Sequence, residues 1–252
     1  MSQNTTLRLG IDIGGTAIKY GVVNTSTGEC ASPLAQVPTP DTPADVAEAL
    51  RTIAAAVQAL EQAPPADSPV GVAFPAIIRR GRACSAANIS QEWLDMDVNG
   101  YFGDALGRPV HALNDADAAG LAEASLGAGQ GRDGAVLVLT LGTGIGSAMV
   151  VDGRLVPNYE LGHLEIGGAK AESRASAVAR ERDGLGWEDY AVRLQEYLRH
   201  VEMLFSPELI ILGGGISVRH ADFLPHVQLA TPVVPAVLNN SAGVVGAALA
   251  VA

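Results

Sequence analysis

The sequence predicts an α/β protein of two related domains. Three observations carry that expectation. Short apolar strand patterns alternate with helical patterns rich in Ala. A strand–turn–strand unit with Gly and Thr in its turn occurs twice, at 7–23 and at 135–151, repeating in topology and not in sequence. The chain has 252 residues, 48% hydrophobic but only 4% aromatic, so a sizeable core has to be built from Ala, Val, Leu and Ile.

In chain order, Leu9, Ile11 and Ile13 alternate with Gly10 and Asp12 as a strand, which turns through Gly14-Gly15-Thr16 and resumes from Ile18 to Val23. Residues 31–45, rich in Pro, Ser and Thr, read as a loop. Asp41 or Thr42 is placed to cap a helix beginning near Pro43, with Val46, Leu50, Ile53, Val57 and Leu60 on one face. Pro69 to Phe74 reads as a buried strand and 77–82 as a ribbon turning at Gly81. Residues 84–100 read as irregular, Tyr101 to Gly107 as a short helix. Pro109 to Leu113 is a strand ending on Asn114-Asp115, and an Ala-rich helix runs from Ala116 to Leu126. The second strand–turn–strand unit turns through Gly142-Thr143-Gly144, and Asp152-Gly153 marks a hairpin. The stretch 157–172 is polar and Gly-rich. A long helix from Trp187 to Phe205 stops at Ser206-Pro207. Leu209 to Leu212 is a buried strand entering Gly213-Gly214-Gly215. Pro232 to Leu238 reads as an edge strand and Ala242 to Ala252 as a helix.

Bulk properties exclude several functions. The 29 glycines lie in short clusters without a period, against a collagen-like chain. A formal net charge of -11 argues against binding nucleic acid or an anionic membrane surface. Cys30 and Cys84 give neither metal-ligand spacing nor a disulfide framework, and the polar N-terminal residues carry no leader signature. A cytoplasmic protein is expected.

Three Gly-rich turns, 14–16, 142–144 and 213–215, each follow an apolar strand. Ligands of α/β sheets gather at such strand ends, and the attached hydroxyls are more than a plain turn requires. Asp12, inside an apolar strand, needs a partner or a cation, or else caps the following turn. Lys19 is a phosphate ligand or an exposed strand residue. Asp115 is either the N-cap of the following helix or a general base at a strand end, with Asn114 placed to bind a sugar hydroxyl. Glu160 and His163 can bridge vicinal sugar hydroxyls, form a loop ion pair, or bind a metal. Arg79, Arg80 and Arg82 are a solvated hairpin or a contact for a polyanion.

Taken together, LGIDIGGTAIK, ALNDADAAGLAE, LTLGTGIGSAMVVDG, ELGHLEIGG and LIILGGGIS resemble, in order, the motifs of the ROK (repressor–open reading frame–kinase) sugar kinases. The stretch after His163 reads GGAKAE where the wider family has a cysteine-rich zinc motif. Together with VAFPAI and the TPVVPAVLNNSAGVVGAALA ending, it is similar to the branch that phosphorylates glucose from polyphosphate. The resemblance implies two actin-like, ribonuclease-H-like α/β lobes with an active-site cleft between them: 1–113, completed by the helix at 241–252, and 114–240. It implies phosphate binding by Gly14, Gly15, Thr16 and Lys19 and by Gly142, Thr143 and Gly144, with Asp12 near Mg²⁺. Gly213, Gly214 and Gly215 match the element near a nucleotide's adenosine. Asn114, Asp115, Glu160, His163 and Glu172 match sugar contacts, with Asp115 as base. The implied reaction is phosphorylation of glucose at the 6-hydroxyl, with polyphosphate or ATP as donor. Mannose as acceptor, a homodimer, and a sugar-responsive regulator remain open alternatives. Lys19, Arg79, Arg80, Arg82 and Lys170 are candidates for a cationic polyphosphate track.

Overall fold

Alternating apolar residues in the first strand, and near-continuous apolar runs in the strands beside it, build a mixed sheet. In the computed structural model, which describes residues 6–87 and 89–252, its strands are β1 (Leu7–Ile13), β2 (Ala17–Asn24), β3 (Ala35–Pro38), β4 (Val70–Phe74) and β7 (Val110–Asn114). Residues 1–5, part of the leader reading, and Asn88, within the stretch read as irregular, lie outside the described residues. The order is β3-β2-β1-β4-β7, with β1–β2 and β2–β3 antiparallel and β1–β4 and β4–β7 parallel. Between these strands lie α1 (Pro43–Gln58), the small hairpin β5 (Ile78–Arg79) and β6 (Arg82–Ala83), and α2 (Val98–Leu106). The helix α3 (Asp115–Leu126) follows β7.

Local chemistry explains each boundary. Thr42 caps α1, its Oγ1 accepting from Asp45 N at 3.2 Å, and Pro43 occupies the first turn, where its missing N–H costs nothing. The helix buries Val46, Leu50, Ile53 and Val57 against the sheet, and Leu60 falls beyond its end. Asp97 caps α2 and Gly107, at φ 65°, closes it. Arg80 and Gly81, both at positive φ, make the β5–β6 turn.

The second sheet repeats the first. β8 (Ala135–Leu141), β9 (Ile145–Val151) and β10 (Arg154–Val156) are antiparallel, and β13 (Leu209–Gly213) and β14 (Val233–Pro235) follow in parallel, giving the order β10-β9-β8-β13-β14. Between them lie the hairpin β11 (Glu165–Ile166) and β12 (Ala169–Lys170), then α4 (Glu172–Ala175), α5 (Ala177–Arg182), α6 (Trp187–Phe205) and α7 (His220–Phe223). Tyr190, Leu194, Tyr197, Leu198 and Val201 of α6 are buried with Leu137, Leu139 and Leu212 of the sheet.

The chain ends in α8 (Ala242–Leu249), which returns to the first sheet. Gly10 and Gly71 face each other across β1 and β4, and a Cβ on either would run into a carbonyl oxygen of α8, that of Val244 or Ala247. Gly246 lies equally close to Ala118 O of α3. Glycine at these positions lets α8 lie with its backbone on the sheet.

Two compact units result: Met1–Ala122 with Asn240–Ala252, and Glu123–Asn239. The division falls inside α3. Three stretches differ from the expectations above. β3 forms within the stretch read as a loop, as a four-residue edge strand whose partner β2 supplies its hydrogen bonds. The 84–100 stretch is partly ordered: Gln91–Trp93 is a 3-10 turn and α2 starts at Val98, because Asp97 caps it earlier than the apolar pattern implies. Two short helices, α4 and α5, precede the long one, the second capped by Ser176.

Candidate functional site

In the first unit, the antiparallel register sets Asp12 of β1 opposite Lys19 of β2 across the Gly14–Thr16 turn. Gly14 N donates to Ala17 O at 3.0 Å, closing the turn. A Cβ on Gly15 would meet no atom within 4 Å, so the space beside the turn is open. Thr39 ties the turn down from outside: its Oγ1 donates to Gly14 O at 2.6 Å and its N–H to Thr16 O at 3.1 Å. A cavity of about 260 Å³ opens beside the turn, lined by Gly14, Gly15, Thr39, Asp41 and Ser90 in front of buried Trp93.

The Asp12 carboxylate lies against Gly243, in the first turn of α8. Burial raises its pKa to about 6, an effect that the Lys19 charge opposes and the Asp115 charge reinforces. Asp12 and Asp115 therefore act electrostatically on each other. Asn114, not Asp115, is the principal cap of α3: its Oδ1 accepts from Ala116 N at 2.8 Å and Asp117 N at 3.2 Å, while its Nδ2 donates to Ala76 O at 3.2 Å. Asp115 Oδ1 also accepts from Ala116 N at 2.8 Å, so both residues contribute to the start of α3. The Asp115 residue is open to solvent, yet its carboxyl is recessed among protein atoms. Lost hydration raises its pKa in spite of hydrogen bonds from backbone N–H groups and from Asn114.

Among the described residues no group of three or more His, Cys, Asp or Glu side chains is arranged to hold a metal. The single carboxylate of Asp12 beside the Gly14–Thr16 turn still suits Mg²⁺, which takes few protein ligands and fills its octahedron with phosphate oxygens and water.

In the second unit, the Leu161–His163 turn and α4 bring three of the expected sugar contacts together. His163 Nε2 lies 3.3 Å from Glu172 Oε1 and its Nδ1 3.7 Å from Glu160 Oε2. Glu172 Oε2 also accepts from Ile145 N at 3.4 Å, and a Cβ on Gly144 would collide with it at 2.5 Å. Glu172 thus stands against the Gly142–Gly144 turn. No protein atom would lie within 4 Å of a Cβ on Gly142. Gly214, at φ 83°, packs on the backbone of Leu141, immediately before that turn, so the second and third Gly-rich elements are neighbours. Thr143 stands in the second turn, and Gly213 and Gly215 flank Gly214 in the third. The structure assembles Asp12, Lys19, Asn114 and Asp115 in one unit and Glu160, His163 and Glu172 in the other.

Among the basic residues, Arg79, Arg80 and Arg82 are exposed on the β5–β6 hairpin, where the Arg82 guanidinium donates to Asp95 O. Lys170 is exposed on β12.

Two positioning residues escape a sequence reading. Thr39 lies in the stretch read as a loop, and the only local signal is a hydroxyl before a proline. Glu123, buried inside an Ala-rich helix, accepts from Ala128 N at 3.1 Å, Val237 N at 3.2 Å and Leu238 N at 2.7 Å. A carboxylate among alanines was the available signal.

Comparison with known proteins gives a consistent result. The model of the ROK family matches residues 8–177. A polyphosphate glucokinase of Mycobacterium tuberculosis is 41% identical over 242 residues, covering 96% of this chain and 89% of that protein. Among solved structures, the inorganic polyphosphate/ATP-glucomannokinase of Arthrobacter sp. strain KM superposes with a TM-score of 0.91 at 57% identity, covering 98% of each chain. A glucokinase of Streptomyces griseus, solved with glucose and AMPPNP, superposes with a TM-score of 0.76 at 26% identity, over 96% of this chain and 98% of that one. The two sheets of identical order are accordingly those of an actin-like α/β fold.

Proposed function

The chain belongs to the ROK family, and from that premise we propose that it transfers a phosphoryl group from inorganic polyphosphate, or from ATP, to the 6-hydroxyl of glucose. The product is glucose 6-phosphate. Mannose is included as a second acceptor, supported by the glucomannokinase similarity.

The observation that carries the chemistry is the division of labour at the start of α3. Asn114 shares the capping, and the desolvated Asp115 carboxylate, held by Ala116 N and Asn114, keeps acceptor lone pairs for a substrate hydroxyl. A general base works best when its pKa approaches the working pH, and burial moves Asp115 in that direction. Asp115 accepts the proton as the 6-oxygen attacks the terminal phosphorus. Glu160, His163 and Glu172 offer two acceptors and an imidazole to the sugar's other hydroxyls, beside Asn114. Lys19 and the N–H groups that the Gly14–Thr16 and Gly142–Gly144 turns do not use internally would serve as donors to the phosphates. Mg²⁺ held by Asp12 and the donor phosphates would neutralise part of that charge.

Both cysteines are free thiols, which supports a reducing, cytoplasmic setting. No helix among the described residues is long and apolar enough to cross a membrane. Val192 and Met203, on one stripe of α6, are 71% and 68% exposed, which supports a homodimer as part of the proposal.

The test is a coupled assay of glucose 6-phosphate formation with the Asp115→Asn protein. Loss of turnover by at least about 10²-fold, with the fold and glucose binding retained, is expected. Near-normal turnover in a folded variant would remove Asp115 as the base.

A further inference from the structure

The second unit carries a cationic cluster that the catalytic reading does not use. It begins at the second Gly-rich turn. Val178 N, in the first turn of α5, donates to Gly142 O at 3.2 Å, so α5 is fastened to that turn. Two residues on, the Arg180 guanidinium lies over the Trp187 indole, 3.6 Å from the ring centroid. From the third Gly-rich turn the chain continues as the 3-10 turn Gly215–Arg219, and the Arg219 guanidinium reaches the same indole at 5.1 Å. Phe223 stacks on Trp187 with centroids 5.9 Å apart and planes at 23°. Two cations thus share one aromatic ring, between the turn expected to bind phosphate and the one expected near a nucleotide's adenosine.

Their charges are unequally answered. Arg219 Nε pairs with Asp222 at 2.5 Å. Arg180 Nε is buried and has no hydrogen-bond partner among the described residues. A buried guanidinium N–H without an acceptor is costly, and two guanidiniums on one ring repel each other. Their planar forks, oriented by the indole, match phosphate oxygens. In a chain of net charge -11, such a cluster stands against the overall field.

We propose that Arg180 and Arg219, held on Trp187, bind the trailing phosphates of a polyphosphate chain whose terminal group lies at the Gly142–Gly144 turn. The proposal rests on the polyphosphate reading above. A purely structural stack at the α5–α6 corner is the competing account.

The experiment titrates long-chain polyphosphate into the full-length protein by calorimetry, without glucose, over a range of NaCl concentrations. Wild type is compared with Arg180→Gln, Arg219→Gln and Arg180→Lys, and the KM for glucose is measured in parallel. Each Gln variant is expected to bind polyphosphate about tenfold more weakly, ~1.4 kcal/mol. The slope of log K against log salt should fall by about one. The KM for glucose should stay unchanged, and Arg180→Lys should recover the slope but not the full affinity. Gln variants with wild-type affinity and slope would overturn the proposal and leave the stack structural. If Arg180→Gln fails to fold, exposed Arg219 carries the test alone. A wild type that phosphorylates glucose from ATP but neither binds nor uses polyphosphate would overturn the donor reading itself, and the subsite with it.

Discussion

Replacing Asp12 by Asn should make this protein more stable and less active. Burial raises the Asp12 pKa from 3.8 to about 6, with Lys19 opposing and Asp115 reinforcing the effect. The native state therefore favours the protonated carboxyl, and the unfolded chain the ionised one. The stability associated with Asp12 is full below pH 3.8 and is lost as pH rises through about 6. At ~1.36 kcal/mol per pKa unit, the ionised carboxylate costs the native state about 3 kcal/mol at pH 8 and about 1 kcal/mol at pH 4.5. Asparagine keeps the shape and removes the charge. In EDTA-treated protein, urea unfolding followed by fluorescence should show Asp12→Asn gaining roughly 3 kcal/mol at pH 8, and progressively less toward pH 4. Turnover should fall by at least about 10²-fold, since the variant offers Mg²⁺ and the donor phosphates no carboxylate. A variant no more stable than wild type at pH 8, or a gain independent of pH, would refute the reasoning.

Two further substitutions test the supports of the site. Thr39→Val removes the hydroxyl on Gly14 O; the KM for phosphoryl donor should rise or kcat fall by roughly tenfold, with the KM for glucose unchanged and Thr39→Ser close to wild type. Glu123→Leu leaves the N–H groups of Ala128, Val237 and Leu238 without their acceptor; thermal and urea unfolding should show a loss of about 3–5 kcal/mol, partly restored by Glu123→Gln.

What could be read from sequence followed local rules. The two strand–turn–strand units were legible because hydrophobic alternation and Gly-Thr turns are local signals, and each became the β1–β2 or β8–β9 hairpin of its sheet. The Asp12–Lys19 pairing follows from the same hairpin register. β3 was not legible, because its four residues owe their conformation to the edge of β2 rather than to a pattern of their own. Residues 172–182 carry too few apolar positions to announce α4 and α5, which depend on the Ser176 cap and on the contact of Val178 with Gly142. The choice between cap and base at Asp115 was undecidable in sequence, since adjacent Asn and Asp can both cap a helix. Geometry gave most of that task to Asn114. The meeting of His163 with Glu172 was also beyond local reasoning: it depends on the β11–β12 hairpin between them, which folds the chain back. Arg180, Trp187 and Arg219 are spread over a much longer span and meet only through tertiary packing.

The central claim is phosphoryl transfer to glucose from polyphosphate. Its most direct measurement is phosphorus NMR of the purified protein with glucose, Mg²⁺ and long-chain polyphosphate, free of nucleotide. A growing glucose 6-phosphate resonance at the expense of internal polyphosphate phosphorus, with the end-group signal maintained as the chains shorten, is the predicted result. Orthophosphate alone, or no change, from a folded protein that phosphorylates glucose with ATP would contradict it.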